Sequence, residues 1–172
     1  MSLFVVDVET DGGLISENSM VCFGAVKVDE KLDKTFYGQI KPISDSYNPE
    51  ALKISGFSRE EHIKFDEPTI VMNNFAIWLK ENSVSNPILI SDNNGYDASW
   101  INYYFLKFYG SNPFGWSSRR IGDLFCGAEQ NLYYRWKKYR KTSHSHNPVD
   151  DAKGNAEALL YFFEKYNMKI PK

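Results

Sequence analysis

The chain lacks the features that define several protein classes. It has two cysteines in 172 residues, Cys22 and Cys126, too few for a disulfide framework or a four-cysteine zinc site. Each lies among apolar neighbours, so we predict two reduced core thiols. No apolar run approaches the roughly 20 residues that span a bilayer. Leu3–Val6 is too short for a signal-peptide core and has no basic flank. We therefore expect a cytoplasmic protein with no membrane partner.

An excess of positive charge is also missing. The 20 basic and 22 acidic residues give a net charge of −2, so the whole molecule has no general attraction to nucleic acid or anionic lipid, although local patches can exist. Aromatic residues are abundant at 16%. They form either a ring-rich core or an exposed surface on which bases stack. The 42% apolar and 24% charged content predicts a single globular domain over residues 1–172.

Hydrophobic periodicity predicts an α/β fold. Three strands come first, two of them joined by a polar hairpin turn at Glu30–Lys34, and Ser58 is predicted to cap a helix start. The strands are Leu3–Asp7, Val21–Val28 and Thr35–Ile40, and a fourth is Pro87–Ile90. The helices are Pro68–Lys80, Ala98–Tyr109, Asp123–Trp136 and Asp150–Tyr166. This order predicts a mixed sheet, antiparallel and then parallel, with helices on both faces and the apolar first strand at its centre.

Two carboxylates end the first strand. Residues two apart in a strand point to the same face, so Asp7 and Glu9 can aim at one point. The alternative is an acidic strand end that faces solvent. Because Leu3–Val6 is apolar, Asp7 is predicted to lie at the edge of a buried wall, where an unpaired charge needs a partner.

Two further segments carry candidate groups. Asp97 stands where a helix begins after the fourth strand, either as a functional carboxylate or as a helix cap, and Asp92 competes with it for a functional role. His146 precedes Asp150 and Asp151 at the start of the last helix, which can place an imidazole beside a carboxylate. The alternatives are a surface histidine with a helix cap, or a His-x-His metal pair with His144.

Together these groups form a plausible metal-dependent hydrolase site. Magnesium and manganese prefer carboxylate and phosphate oxygens. Two such ions about 3.5–4 Å apart can hold both the attacking and the leaving oxygen of a phosphodiester displacement. A histidine with a pKa of about 6.5 can deprotonate water at neutral pH.

The order of these motifs resembles the DEDDh exonucleases of the ribonuclease H-like superfamily. The matching segments run Val6-Asp7-Val8-Glu9-Thr10-Asp11-Gly12, Tyr96-Asp97-Ala98-Ser99-Trp100-Ile101 and His146-Asn147-Pro148-Val149-Asp150-Asp151-Ala152. Weaker matches are Ile54-Ser55-Gly56-Phe57 and Asp123-Leu124. The resemblance is strongest to a compact bacterial and phage exoribonuclease subfamily, related to ribonuclease T and oligoribonuclease. Many relatives carry a His-Asn pair where this chain has Asp92-Asn93.

The resemblance implies a five-stranded ribonuclease H-like sheet and a set of roles. The implied ligands of two Mg²⁺ or Mn²⁺ ions are Asp7, Glu9, Asp97 and Asp151, with His146 as the general base. The implied contacts of the terminal nucleotide are Thr10, Asp11 and Asn94. The implied reaction releases 5′-mononucleotides from the 3′ end of RNA. Open alternatives are a DNA exonuclease of the same family and a catalytically silent nucleic-acid binding module. Family habit suggests a homodimer.

One segment is both basic and aromatic. Residues 131–141 contain no acid and interleave four rings with five cations. Its predicted phosphate contacts are Arg135, Lys137 and Lys138. The alternative is a solvated helix whose rings belong to the core.

Overall fold

The structure, a computed structural model, describes residues 1–170. The strands are β1 (Ser2–Thr10), β2 (Met20–Lys27), β3 (Thr35–Gln39), β4 (Pro87–Ser91) and β5 (Ser118–Arg120). The helices are α1 (Pro49–Ile54), α2 (Arg59–His62), α3 (Pro68–Glu81), α4 (Asn94–Phe108), α5 (Ile121–Ala128) and α6 (Pro148–Lys165), with a 3₁₀ helix at Trp136–Tyr139. None of the helices in residues 1–170 is both long and apolar enough to cross a membrane.

The five strands form one mixed sheet in the order β3-β2-β1-β4-β5. The pairs β1–β2 and β2–β3 are antiparallel, whereas β1–β4 and β4–β5 are parallel. The sheet architecture and the central place of the first strand confirm the prediction.

Side chains of β1 alternate between two separate cores. Phe4, Val6 and Val8 join the core under α3 and α4. Leu3 and Val5 join the core under α5 and α6. Because side chains alternate along a strand, Asp7 and Glu9 must project to the α6 side. The alternation of β1 therefore decides which helix the carboxylates face.

Several predicted boundaries were wrong. α4 begins at Asn94 rather than Ala98, so Asp97 lies inside its first turn and not at its cap. The helix predicted over Asp123–Trp136 ends at Ala128, and a loop and the 3₁₀ helix follow. The cap at Ser58 is confirmed and forms a capping box with Glu61. Cys22 is buried as predicted, but Cys126 is only half-buried, and its thiol donates to the carbonyl oxygen of Leu132 at 3.3 Å.

Candidate metal centre and active site

A glycine lets α6 reach the carboxylates of β1. Gly24 pairs with Asp7 in the sheet register. A Cβ atom on Gly24 would lie 2.3 Å from the backbone carbon of Pro148 and 2.4 Å from the amide nitrogen of Val149. No other residue permits this approach without a backbone shift. The first turn of α6 therefore rests on β2 directly beside Asp7.

This packing gathers three carboxylates at one place. Asp7, Glu9 and Asp151 each offer a ligand atom, and these atoms lie within 4.8 Å of one another. Asp151 is 1% exposed, while Asp7 and Glu9 are half-buried at the open end of the site. The cluster is thus fully buried at Asp151 and more exposed at Asp7 and Glu9.

Asp97 stands outside this group of three but acts on it. It lies in the first turn of α4 and is 3% exposed. Its Oδ2 atom finds no hydrogen-bond partner within residues 1–170. The charge of Asp97 helps to raise the pKa of Asp7. The structure thus brings Asp97 close enough to couple with Asp7, while Asp92, its competitor, pairs with Lys137 at 2.5 Å.

The pKa values of Asp7, Glu9 and Asp97 are raised because burial and neighbouring negative charges outweigh the compensation that nearby basic groups such as Arg140 supply. Burial and the neighbouring charges of Asp97, Glu9 and Asp151 raise the pKa of Asp7 well above its usual value. Burial, followed by the charge of Asp151, raises the pKa of Glu9 to about 7. Burial, together with the charge of Asp92, raises the pKa of Asp97 to about 7. A divalent cation would reverse each of these effects, since it favours the charged form.

Asp151 is the exception in the cluster. Burial would raise its pKa, but hydrogen bonds from Arg140 and His144 outweigh burial and lower it below the usual value. Arg140 Nη2 lies 2.7 Å and His144 Nδ1 lies 2.8 Å from Asp151 Oδ1. The amides of Ser145 and His146 donate to Oδ1 and Oδ2 at 3.2 and 3.0 Å. Asp151 is therefore held ionised by protein groups alone.

Two histidines lie at the open side. His146 Nδ1 is 3.7 Å from Glu9 Oε1, and the side chain is 50% exposed. Its backbone has a φ of +61°, a left-handed conformation rare for a non-glycine residue. The hydrogen bond from its backbone amide to Asp151 helps to hold it in that conformation. The His144 ring lies 4.3 Å from the His146 ring, centroid to centroid. One imidazole thus faces Glu9 and the other faces Asp151.

An all-oxygen donor set of this kind suits a hard divalent cation. Three carboxylates meet, a fourth leaves a buried oxygen without a partner in the described chain, and three of the four have raised pKa values. Magnesium and manganese prefer such ligands. The residues present fit the metal that the motifs imply.

Sequence comparison gives the family. The chain is 32% identical over 179 residues to the 3′–5′ DNA exonuclease Cap18 of Escherichia coli, covering 95% of this chain and 92% of that protein. The chain belongs to the DEDDh 3′–5′ exonuclease family. No family profile matches the chain.

Solved structures share the DEDDh fold at low identity. The nuclease domain of 3′hExo, a DEDDh family member bound to rAMP, superposes with a TM-score of 0.78 at 12% identity, covering 99% of this chain and 96% of that one. The cell-death related nuclease CRN-4 gives 0.77 at 16% identity, over 95% of this chain and 64% of that one. E. coli exonuclease I in a complex with single-stranded DNA gives 0.72 at 19% identity. That match covers 96% of this chain but spans only 40% of exonuclease I.

Thr10 and Asn94, two of the residues expected to touch the terminal nucleotide, form hydrogen bonds within the protein. The Thr10 hydroxyl is buried, donates to the carbonyl oxygen of Gly12 at 2.8 Å and lies 2.5 Å from the Tyr96 hydroxyl. Asn94 is half-buried and donates to Ser118 Oγ at 2.9 Å. Thr10 and Asn94 thus stabilise the local structure around the DEDDh motifs.

Asp11 is at odds with a direct substrate contact. Its side chain is fully buried, and its oxygens accept hydrogen bonds from the Ser19 amide at 2.5 Å and from Arg59 at 3.0 Å. Its carboxylate therefore ties the end of β1 to α2, and substrate has no access to it.

The basic and aromatic segment divides its residues between core and surface. Trp136 is buried, and the rings of Tyr134 and Tyr139 stack on Phe125. Tyr133 is 88% exposed. The three predicted phosphate-binding residues, Arg135, Lys137 and Lys138, are exposed. Most of the rings thus belong to the core, as one alternative held, while Arg135, Lys137 and Lys138 face solvent.

Two site residues were not predicted from the sequence. Gly24 reads as an ordinary strand residue, and only the packed structure shows what its missing side chain permits. Arg140 was counted among the basic residues of its segment, but nothing in the local pattern separates it from the solvated cations beside it.

Proposed function

We propose that this protein is a divalent-metal-dependent exonuclease that removes nucleotides from the 3′ end of a nucleic-acid strand. The observation that carries the proposal is the convergence of Asp7, Glu9 and Asp151 within 4.8 Å, with His146 beside Glu9. We assign the metal-ligand role to these three residues and to Asp97. The whole of residues 1–172 is proposed to act as one exonuclease domain.

The protein's own groups support the chemistry of phosphodiester hydrolysis. Bound divalent cations would stabilise negative charge on the phosphate and its leaving oxygen. The His146 ring lies beside Glu9, with Nδ1 3.7 Å from Oε1, and this places the imidazole to take the proton of the attacking water. The water oxygen bonds to phosphorus as the bond from phosphorus to the 3′ oxygen of the preceding nucleotide breaks. That oxygen takes a proton from solvent, and a nucleoside 5′-monophosphate leaves.

The nature of the sugar is the second part of the proposal. The motifs resemble the exoribonuclease subfamily, which favours RNA. The relative at 32% identity is named as a DNA exonuclease, which favours DNA as the second candidate. The exposed cations Arg135, Lys137 and Lys138 suit either backbone, because phosphate contacts carry no sequence or sugar information. A single strand is the expected form, since structural neighbours include a complex with single-stranded DNA.

A direct degradation assay tests the proposal. RNA and DNA oligonucleotides of one sequence, 5′-labelled, would be incubated with Mn²⁺, Mg²⁺ or a chelator. We expect a ladder of products shortened from the 3′ end with either metal and none with the chelator. Retained binding with no shortening of either strand would instead support a silent binding module. A homodimer, suggested only by family habit, remains a prediction for sedimentation analysis.

A further inference from the structure

A cation is built into the acidic cluster. The Arg140 side chain is 9% exposed, and its Nη2 atom lies 2.7 Å from Asp151 Oδ1. Its charge also acts on Asp7, where it opposes the rise in pKa that burial causes. An arginine keeps its proton under all ordinary conditions, so this positive charge is permanent.

Two features of the fold hold Arg140 beside Asp151. A Cβ atom on Gly154 would lie 2.5 Å from Arg140 Nε, so the glycine leaves the room that the guanidinium occupies. The next two residues are anchored to α6, since the amides of Lys141 and Thr142 each donate to Glu157 Oε2 at 2.7 Å. Within the described chain Arg140 Nε has no hydrogen-bond partner. The guanidinium is therefore held in a place where part of its hydrogen-bonding capacity goes unused.

Arg140 and a metal ion would need the same carboxylate. Asp151 Oδ1 accepts from Arg140, from His144 and from the Ser145 amide, which is more than its two lone pairs serve well. A divalent cation at this oxygen must displace a donor and must also approach a fixed positive charge.

We propose that Arg140 is a positioning residue that acts as the internal counter-ion of the cluster and competes with the divalent cation for Asp151. The inference rests on the metal site of the proposed function. Arg140 holds Asp151 in place before metal binds and weakens metal binding in return. Four carboxylates and two divalent cations sum to zero charge. Arg140 then leaves one positive charge for an incoming phosphodiester, which carries one negative charge.

Calorimetric titration of the free protein with MnCl₂ tests this competition. Arg140→Met removes the charge, Arg140→Lys keeps it, and Lys141→Met removes the same charge from the adjacent exposed residue. We expect Arg140→Met to bind Mn²⁺ roughly tenfold more tightly than the parent, since a buried like charge a few ångströms away is removed. Arg140→Lys should stay near the parent, and Lys141→Met should change affinity by less than about twofold because solvent screens its charge.

Thermal unfolding gives a second readout that needs no catalysis. Arg140→Met should melt at a lower temperature without metal and gain more from added Mn²⁺ than the parent does. If Arg140→Met does not fold, Arg140→Gln is expected to behave in the same direction.

The outcomes separate the two proposals. Equal or weaker Mn²⁺ binding by Arg140→Met, or an equal gain in Lys141→Met, would overturn the counter-ion role while the metal site stands. A parent protein that binds no Mn²⁺ would overturn the metal site and the counter-ion role together.

Discussion

Asp97 and Asp151 both lie in the first turn of a long helix, and both are almost fully buried, at 3% and 1% exposure. Both therefore stand in the favourable field of a helix N-terminus. Their pKa values nevertheless move in opposite directions, to about 7 for Asp97 and below the usual value for Asp151. The helix terminus is common to both, so it cannot account for the difference.

The immediate donors account for it. Asp151 has an arginine, a histidine and two amides on its oxygens. Asp97 has hydrogen bonds with Ser91 and with the backbone at Asn93 and Val8, which do not outweigh burial, and its Oδ2 atom has no partner in residues 1–170. The α6 side of the site is thus organised by the protein itself. The α4 side keeps a buried carboxylate oxygen without a partner in residues 1–170, which suits the proposed cation, so variants on the two sides should behave differently.

Loss of any of the four carboxylates proposed as metal ligands should have the largest effect on activity. We expect Asp7→Ala, Asp97→Asn and Asp151→Asn to lower kcat/KM by at least about 10³-fold, because metal stabilisation of the phosphate charge is worth several kcal/mol. Asp150→Asn is the matched control, since Asp150 is the exposed neighbour of Asp151. It should stay within about twofold of the parent. If Asp150→Asn lost activity and Asp151→Asn kept it, Asp151 would be wrongly assigned as the ligand at the start of α6.

Substitution of His146 should have the next largest effect on activity, and substitution of His144 a much smaller one. We expect His146→Ala to lower kcat by roughly 10²–10⁴-fold if its ring takes the proton of water. His144→Ala removes one of the donors to Asp151 and should cost less than about tenfold, since Arg140 and two amides remain. Single-turnover kinetics at saturating Mn²⁺ would measure both. Near-normal turnover in His146→Ala together with a large loss in His144→Ala would transfer the base role to His144.

Substitutions of Asp151 and Asp97 should also change the stability of the protein in opposite directions, and the larger change is expected for Asp151. Without metal, Asp151→Asn is expected to lower the free energy of unfolding by about 3–5 kcal/mol, because it leaves the buried guanidinium of Arg140 without its anion. Urea unfolding with a chelator present would measure the change. The same substitution in a protein that already carries Arg140→Met should cost clearly less. Additive losses in the double variant would mean that the Arg140–Asp151 pair is not what stabilises the start of α6.

Much of this arrangement could be predicted from sequence because it depends on local periodicity. The alternation along β1 put Asp7 and Glu9 on one face, and the apolar run before them indicated a central buried strand. Asp97 and Asp151 were placed at helix starts because acids and caps mark such positions. These signals act over a few residues, so they survive without knowledge of the tertiary structure.

The remainder depends on contacts between segments far apart in the chain. Gly24 matters only because α6, more than a hundred residues later, rests on it. The resemblance implied a fifth strand, but periodicity could not locate it, since β5 has only three residues and is defined by its pairing with β4. Asp11 lies beside the motif residues in sequence, yet its side chain points inward because Arg59 and the Ser19 amide donate hydrogen bonds to it. Motif position predicts which residues gather, but not which way each side chain faces.

The smallest expected effect has the opposite sign to that of Asp151. Without metal, Asp97→Asn should raise the free energy of unfolding at pH 8 by roughly 1–3 kcal/mol, because a buried carboxylate with a raised pKa costs stability when it ionises. The parent carboxyl is neutral in both states below its ordinary value of 3.8, and only the unfolded state ionises freely between there and about 7. Its cost therefore grows as pH rises through that window and is fully present above it.

Glu9, with a pKa of about 7, and Asp7 add to the same trend, so Asp97→Asn should flatten the fall in stability between pH 4.5 and pH 8 without abolishing it. Mn²⁺ should stabilise the parent most at the alkaline end, where all four carboxylates are charged, and should stabilise Asp97→Asn less. Urea unfolding across this pH range, with Mn²⁺ or a chelator, would measure both effects. If the variant were less stable than the parent at pH 8 without metal, Asp97 would be a stabilising helix residue like Asp151, and the contrast between the two sides of the site would disappear.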